Sequence, residues 1–176
     1  MKFFVVSDIF GQPDAENCVL SQIPKIAGVE RHSLAQLCGR PELTGEGLHV
    51  HLFRENGMQR AVASLMERRL DGCIGMGYSA GGTVLWQAVG LGLRLDRLYC
   101  ISSTRLRNEA AVSIPNHVFF GGNDPAKPTA TWLGSIPLQS TVFPGLEHDF
   151  YRDPLRPECG QIRQQIKSDL GRADPQ

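Results

Sequence analysis

The sequence contains Gly77-Tyr78-Ser79-Ala80-Gly81, followed by Gly82. This is the G-x-S-x-G pattern of a nucleophile turn. Its setting suits that role: Asp71–Met76 (DGCIGM) reads as a strand, and Ala80 to about Leu91 reads as a buried helix. The chemistry needs this shape, because a serine hydroxyl is a poor nucleophile until a base takes its proton. A sharp turn from strand into helix lifts Ser79 above the sheet and strains the backbone there. It also demands small neighbours, which Gly77, Ala80, Gly81 and Gly82 supply. The Ala80 amide, at the helix amino terminus, then faces the place where an oxyanion develops. Two plainer readings exist: a glycine-rich turn with an incidental serine, and a phosphate-binding loop. The second lacks both the Lys-Ser/Thr ending of a P-loop and the G-x-G-x-x-G spacing, although Gly75-Met76-Gly77 opens like one.

In α/β hydrolases, whose nucleophile turn this one resembles, the triad follows in the chain order Ser, Asp/Glu, His. The histidines are His32, His49, His51, His117 and His148, and only the last two follow Ser79. His117 opens a strand-like run, at the wrong end of the sheet. His148 lies in Pro144-Gly145-Leu146-Glu147-His148-Asp149-Phe150, after a strand-like run. Ligands on such sheets bind at that carboxyl edge, so His148 is the expected base. Asp124, in Gly121-Gly122-Asn123-Asp124-Pro125, follows the preceding strand. It is the expected orienter, accepting the Nδ1 proton of His148 and stabilising the imidazolium. A simple Asn-Asp-Pro turn is the bland alternative. Glu147 and Asp149 are rivals, but a sequence neighbour is badly placed to reach the ring of His148.

The loop after the first apolar run reads Ser7-Asp8-Ile9-Phe10-Gly11. Together with the residues above it resembles the dienelactone-hydrolase-like members of the α/β-hydrolase superfamily. Those carry an acid-Ile-Phe-Gly segment after a central strand, usually with Glu where this chain has Asp8. The resemblance implies that the Ile9 amide joins that of Ala80 in an oxyanion hole. A loop whose Ile9 and Phe10 merely cover the core is the alternative. Dienelactone hydrolases proper use cysteine as nucleophile, so Ser79 points to an esterase or thioesterase instead. The resemblance also implies a minimal α/β sandwich of three layers. It would have about six mostly parallel strands and would lack the superfamily's first two strands and a lid domain.

Phe10, Tyr78 and Trp132 are expected to line the pocket. The loop Ser103–Ser113 is expected to border it, where Arg105 or Arg107 would meet an acidic substrate group. The alternatives are packing for the aromatic residues and a solvated loop for the arginines. His49 and His51 would share one face of a strand, but no third ligand lies nearby in sequence, so no metal and no cofactor are expected.

The elements that position these residues alternate between apolar runs and helix-like stretches. Strands are expected at Lys2–Ser7, Leu48–Phe53, Asp71–Met76, Arg97–Ser102, His117–Phe120 and Leu138–Phe143. Helices are expected at Asn56–Leu70 (capped by Asn56), Ala80–Leu91, shortly after Pro128, and at Pro157–Leu170. Asp14 to Cys38 is read as helical pieces broken near Pro24 and Gly28.

The 176 residues, 41% apolar and 20% charged, suit one domain spanning the whole sequence. Eighteen basic residues balance eighteen acidic ones, so no field draws in nucleic acid or an anionic membrane. The same neutrality leaves room for a homo-oligomer. Five cysteines without a CxxC pair argue against a disulfide framework or zinc site and fit a reducing cytoplasm. A strand beginning at Lys2 leaves no space for a signal peptide, and no apolar run is long enough to span a bilayer. The expected activity is hydrolysis of a small-molecule ester or thioester. The alternatives are a non-catalytic binding protein with the same fold, and a peptidase or amidase using the same triad.

Overall fold

Strict alternation along Lys2–Val6 (β1) sends Phe4 and Val6 to one side of a sheet and Phe3 and Val5 to the other, all buried. This is the pattern of a central strand covered on both faces. In the computed structural model, which describes residues 2–11, 18–23, 26 and 28–172, β1 lies inside a six-stranded sheet. The other strands are Gly28–His32 (β2), Cys73–Tyr78 (β3), Arg97–Ile101 (β4), Asn116–Gly121 (β5) and Gln139–Phe143 (β6). Their spatial order is β2-β1-β3-β4-β5-β6, and every pairing is parallel.

The helices are Leu34–Leu37 (α1), Gly45–Arg54 (α2), Gly57–Met66 (α3), Ala80–Gly90 (α4), Ala130–Ser135 (α5) and Pro157–Arg172 (α6). Buried residues of α1 to α5 pack with Phe4, Val6, Leu98 and Phe120 on one face. Cys159, Ile162 and Ile166 of α6, with Val19 and Leu20 of a short 3-10 turn, pack with Phe3, Ile74 and Tyr99 on the other. The architecture is thus a three-layer α/β sandwich on an all-parallel sheet. Among the described residues, no helix is long and apolar enough to cross a membrane.

Two expected elements are corrected. Leu48–Phe53 is not a strand but part of α2. The His-alternating pattern suggested period two, whereas the buried residues are Leu48, His51 and Leu52, which is helical spacing. The second strand in the chain is instead β2, an edge strand of half-buried and exposed residues in a region read as helical. Its burial does not alternate, so the sequence carries little strand pattern there. The break expected near Pro24 lies outside the described residues. Asn56 does precede α3, but with φ of 63° and without a capping bond from its side chain.

Candidate active site

The glycines of β3 shape the nucleophile turn. Gly77 faces α4 and Gly75 faces Leu95 and Leu98 on the same side of the sheet, while Ile74, Met76 and Tyr78 face α6. A Cβ on Gly77 would meet Gly82, and one on Gly81 would meet the Ser7 carbonyl, both inside van der Waals contact. This close approach delivers α4 directly onto the strand ends. Ser79 joins the two elements with φ 49° and ψ −125°, a strained conformation for a residue with a side chain. Its amide donates to the Ile101 carbonyl (2.9 Å), which fixes the turn against β4.

Ser79 Oγ lies 3.0 Å from His148 Nε2, and His148 Nδ1 lies 2.9 Å from Asp124 Oδ2. The Asp124 side chain is fully buried, whereas that of His148 is 32% exposed. Asp124 Oδ1 accepts from the Ala126 amide (2.7 Å), so both carboxylate oxygens are held. The loops carrying Asp124 and His148 are zipped together. Gly122 donates to the Phe143 carbonyl (2.7 Å) and Asn123 to the Leu146 carbonyl (2.9 Å). Glu147, a rival acid, is within reach of the Asn123 side chain (3.3 Å) and not oriented on the ring by any described bond. Asp149 precedes a 3-10 turn over Phe150–Arg152.

Ile9 and Ala80 both line a cavity of about 170 Å³ over Ser79, with Phe10, His49, Phe53, Thr104 and His148. The Ala80 amide opens α4, where helix geometry leaves it no partner within the helix. The Ile9 loop is pinned from two sides: its carbonyl accepts from the Gly45 amide (2.8 Å), and Asp8 Oδ1 accepts from the Phe10 amide (2.8 Å). Asp8 Oδ2 in turn accepts from Tyr151 Oη (2.9 Å) and Arg152 Nη2 (3.0 Å). Burial, with the Asp8 carboxylate beside it, pushes the Tyr151 hydroxyl well above its ordinary pKa.

Of the expected pocket residues, Phe10 alone lines this cavity, and it is 60% exposed. Tyr78 does not: strand parity turns it to the α6 face, where its hydroxyl accepts from the Val19 amide (3.1 Å) and contacts Cys18 Sγ (3.3 Å). Trp132 does not either. It packs on Trp86 and donates from Nε1 to the Glu109 carbonyl (3.1 Å), anchoring the loop after β4. His49 and His51 are two residues apart on a helix, about 200° around its axis, so they do not share a face. His51 is buried against Glu55 (3.0 Å), and His49 lines the cavity. Thr104 was not singled out from the sequence, yet its Oγ1 is 3.0 Å from Ser79 Oγ.

No family model matches the sequence, and no curated protein matches it. Solved structures do resemble the fold. The RedJ thioesterase from the prodiginine biosynthetic pathway of Streptomyces coelicolor is 11% identical; the match covers 95% of this chain and 84% of that one, with a TM-score of 0.64. MGS-MChE2, an α/β hydrolase enzyme from a sediment metagenome of the Mar Chica lagoon, is 11% identical over 97% of this chain and 92% of its own, at a TM-score of 0.64. The chain has the α/β-hydrolase fold. Est1E from Butyrivibrio proteoclasticus is similar to the same extent: 11% identity, 97% and 88% coverage, TM-score 0.64. In an α/β-hydrolase fold, the carboxyl edge of the sheet is the ligand edge. Ser79, Asp124 and His148 all follow strand ends at that edge here.

Proposed function

We propose that this α/β-hydrolase-fold chain is a serine hydrolase that cleaves a carboxylic ester or thioester through an acyl-enzyme. The observation that supports this reading is the pair of His148 contacts, 3.0 Å to Ser79 Oγ and 2.9 Å to Asp124 Oδ2. A buried carboxylate on Nδ1 keeps the proton on that nitrogen, which leaves Nε2 as an acceptor for the Ser79 proton. Ser79 Oγ attacks the substrate carbonyl while His148 takes its proton. The resulting oxyanion rests against the amides of Ile9 and Ala80. His148 then protonates the leaving alcohol or thiol, and water, activated by the same imidazole, releases the acid and restores Ser79.

A fluorophosphonate probe tests the reading. It is expected to add once, to Ser79. Turnover of a simple ester or thioester is expected to fall at least about a thousandfold in Ser79→Ala and His148→Ala. Folded protein that takes up no label, with turnover unchanged in both variants, would overturn it.

A further inference from the structure

Helix α4 does more than present Ser79. Thr83, Gln87, Gly90 and Leu91 follow at helical spacing along one of its faces. Two further cavities lie on that face. The nearer, about 240 Å³, is lined by polar side chains, among them Thr83, Arg54, Asn56, Arg105 and Asn108. The farther, about 520 Å³, is mostly apolar, lined by Val62, Met66, Trp86, Leu91 and Val112. Gln59, Gln87 and Glu109 line both, and Phe53 lines both the nearer one and the cavity over Ser79. The three therefore follow one another as a trough along α4, crossed at its two boundaries by the Arg105–Phe53 stack and the Gln87–Glu109 bond. At helical rise, Gln87 lies about 12 Å and Leu91 about 18 Å along the axis from Ser79.

The trough has a fixed far wall. Trp86 Nε1 donates to the Ala110 carbonyl (2.9 Å), Trp132 Nε1 to the Glu109 carbonyl (3.1 Å), and Gln87 Nε2 to Glu109 Oε1 (2.7 Å). These bonds fasten residues 109 and 110 to α4 and α5, and the Gln87–Glu109 bond crosses between the second and third stretches, so a ligand that fills both displaces it. The boundary between the first two stretches carries a movable element. The Arg105 guanidinium lies 4.0 Å over the Phe53 ring, and Arg105 is exposed with φ of 68°. An exposed stack of this kind is weakly held and yields to a ligand. At the far end, the apolar side chains of Leu91 and Met66 are 69% and 39% exposed.

We propose that the substrate is elongated: its reacting carbonyl sits at Ser79, a polar middle carrying a group such as an amide crosses the Arg105 region, and an apolar tail fills the groove between α3 and residues 109–112. This rests on the hydrolase reading of Ser79. The order of surfaces along α4 carries it: the cavity over Ser79, a polar stretch and an apolar groove follow one another and share lining residues at each boundary.

The test uses three acetyl thioesters: of N-acetylcysteamine, of N-dodecanoylcysteamine, and of an alkanethiol matching the second in length but lacking its amide. Turnover by the intact protein gives KM. Equilibrium binding to Ser79→Ala gives affinity whether or not the protein is a hydrolase. The dodecanoyl compound is expected to gain about tenfold or more over the acetyl one, since burying roughly two methylenes already gives that factor. The alkanethiol compound is expected to gain less. Ala63→Trp and Ala111→Trp, which fill the groove from opposite walls far from Ser79, are expected to abolish the gain and leave the short compound within about twofold. A gain under about threefold, a gain equal without the amide, or filling variants that affect both lengths alike would each overturn the inference. Absent turnover with intact tail-dependent binding would overturn the hydrolase reading and leave the groove standing.

Discussion

Ser79 Oγ has two partners 3.0 Å away, His148 Nε2 and Thr104 Oγ1. Ser79 has one proton, and in the proposed mechanism the neutral ring, which donates from Nδ1 to Asp124, accepts it at Nε2. On that reading Thr104 is the donor to Ser79, orienting the lone pairs of Oγ and holding its proton towards His148. Thr104 is itself held, because its carbonyl accepts from the Thr83 hydroxyl. Thr104→Val keeps the shape and removes the donor. It is expected to lower kcat by about tenfold with KM little changed, as the loss of one such bond implies. Thr104→Ser is expected to restore it, and steady-state kinetics on a simple ester read all three. Equal kcat in wild type and Thr104→Val would make Thr104 a bystander. The convergence of Ser79, Asp124 and His148 was legible because residue type and chain order together eliminate most rivals. Thr104 was not, because a threonine in a loop belongs to no motif. Tyr78 was misassigned to the pocket although its parity was readable: it alternates with Gly77, which faces α4.

Elements were legible where burial follows one clean period, as in β1 and α4, and illegible where polar residues interrupt it. Histidine at 49 and 51, alternating with Leu48, Val50 and Leu52, mimicked a strand, and β2 left no alternation to read. The closest fit between elements is that of α4 on the strand ends. Gly81→Ala would drive a methyl into the Ser7 carbonyl, which is backbone and cannot yield. The variant is expected to lose about 2–3 kcal/mol in urea unfolding and to lose activity as α4 shifts. A loss below about 0.5 kcal/mol would show the contact to be slack.

The β5–β6 pair holds a second element-scale device. His117 Nε2 lies 2.8 Å from Thr141 Oγ1, and the ring stacks on Phe119. Burial pushes its pKa down to about 4; Arg97 acts in the same direction and Asp169 opposes. The unfolded chain then binds a proton at a higher pH than the folded one. His117 consequently costs no stability above about pH 6.5, and the penalty grows as pH falls towards 4, up to about 3 kcal/mol. His117→Gln is expected to flatten the fall of the urea midpoint between pH 6.5 and 4. Parallel slopes for the two proteins would contradict this.

At the scale of the whole molecule, the two loops that meet over Ser79 come from opposite ends of the chain. Asp8 follows the interior strand β1, and Tyr151 and Arg152 follow the edge strand β6, so their contacts span more than 140 residues. No local pattern marks such a pairing, and for that reason the sequence suggested the Asp8 segment only through a resemblance. The Asp8 carboxylate does two things at once. Through Oδ1 it shapes the turn that carries Ile9 and Phe10, and through Oδ2 it ties that turn to the loop carrying His148. Arg152 extends the tie by lying 4.1 Å over the Phe10 ring. Removing the carboxylate leaves the Phe10 amide and the Tyr151 hydroxyl without their acceptor and Arg152 without its counter-charge. Asp8→Ala is therefore expected to lose about 2–4 kcal/mol in urea unfolding. It is also expected to lower kcat/KM by about a hundredfold, the cost of misplacing reacting groups by about 1 Å. Tyr151→Phe removes one bond and keeps the charge pair, so it is expected to lose about 1 kcal/mol with near-normal turnover. Comparable turnover in Asp8→Ala and Tyr151→Phe would mean that the Ile9 turn holds its place without the tie.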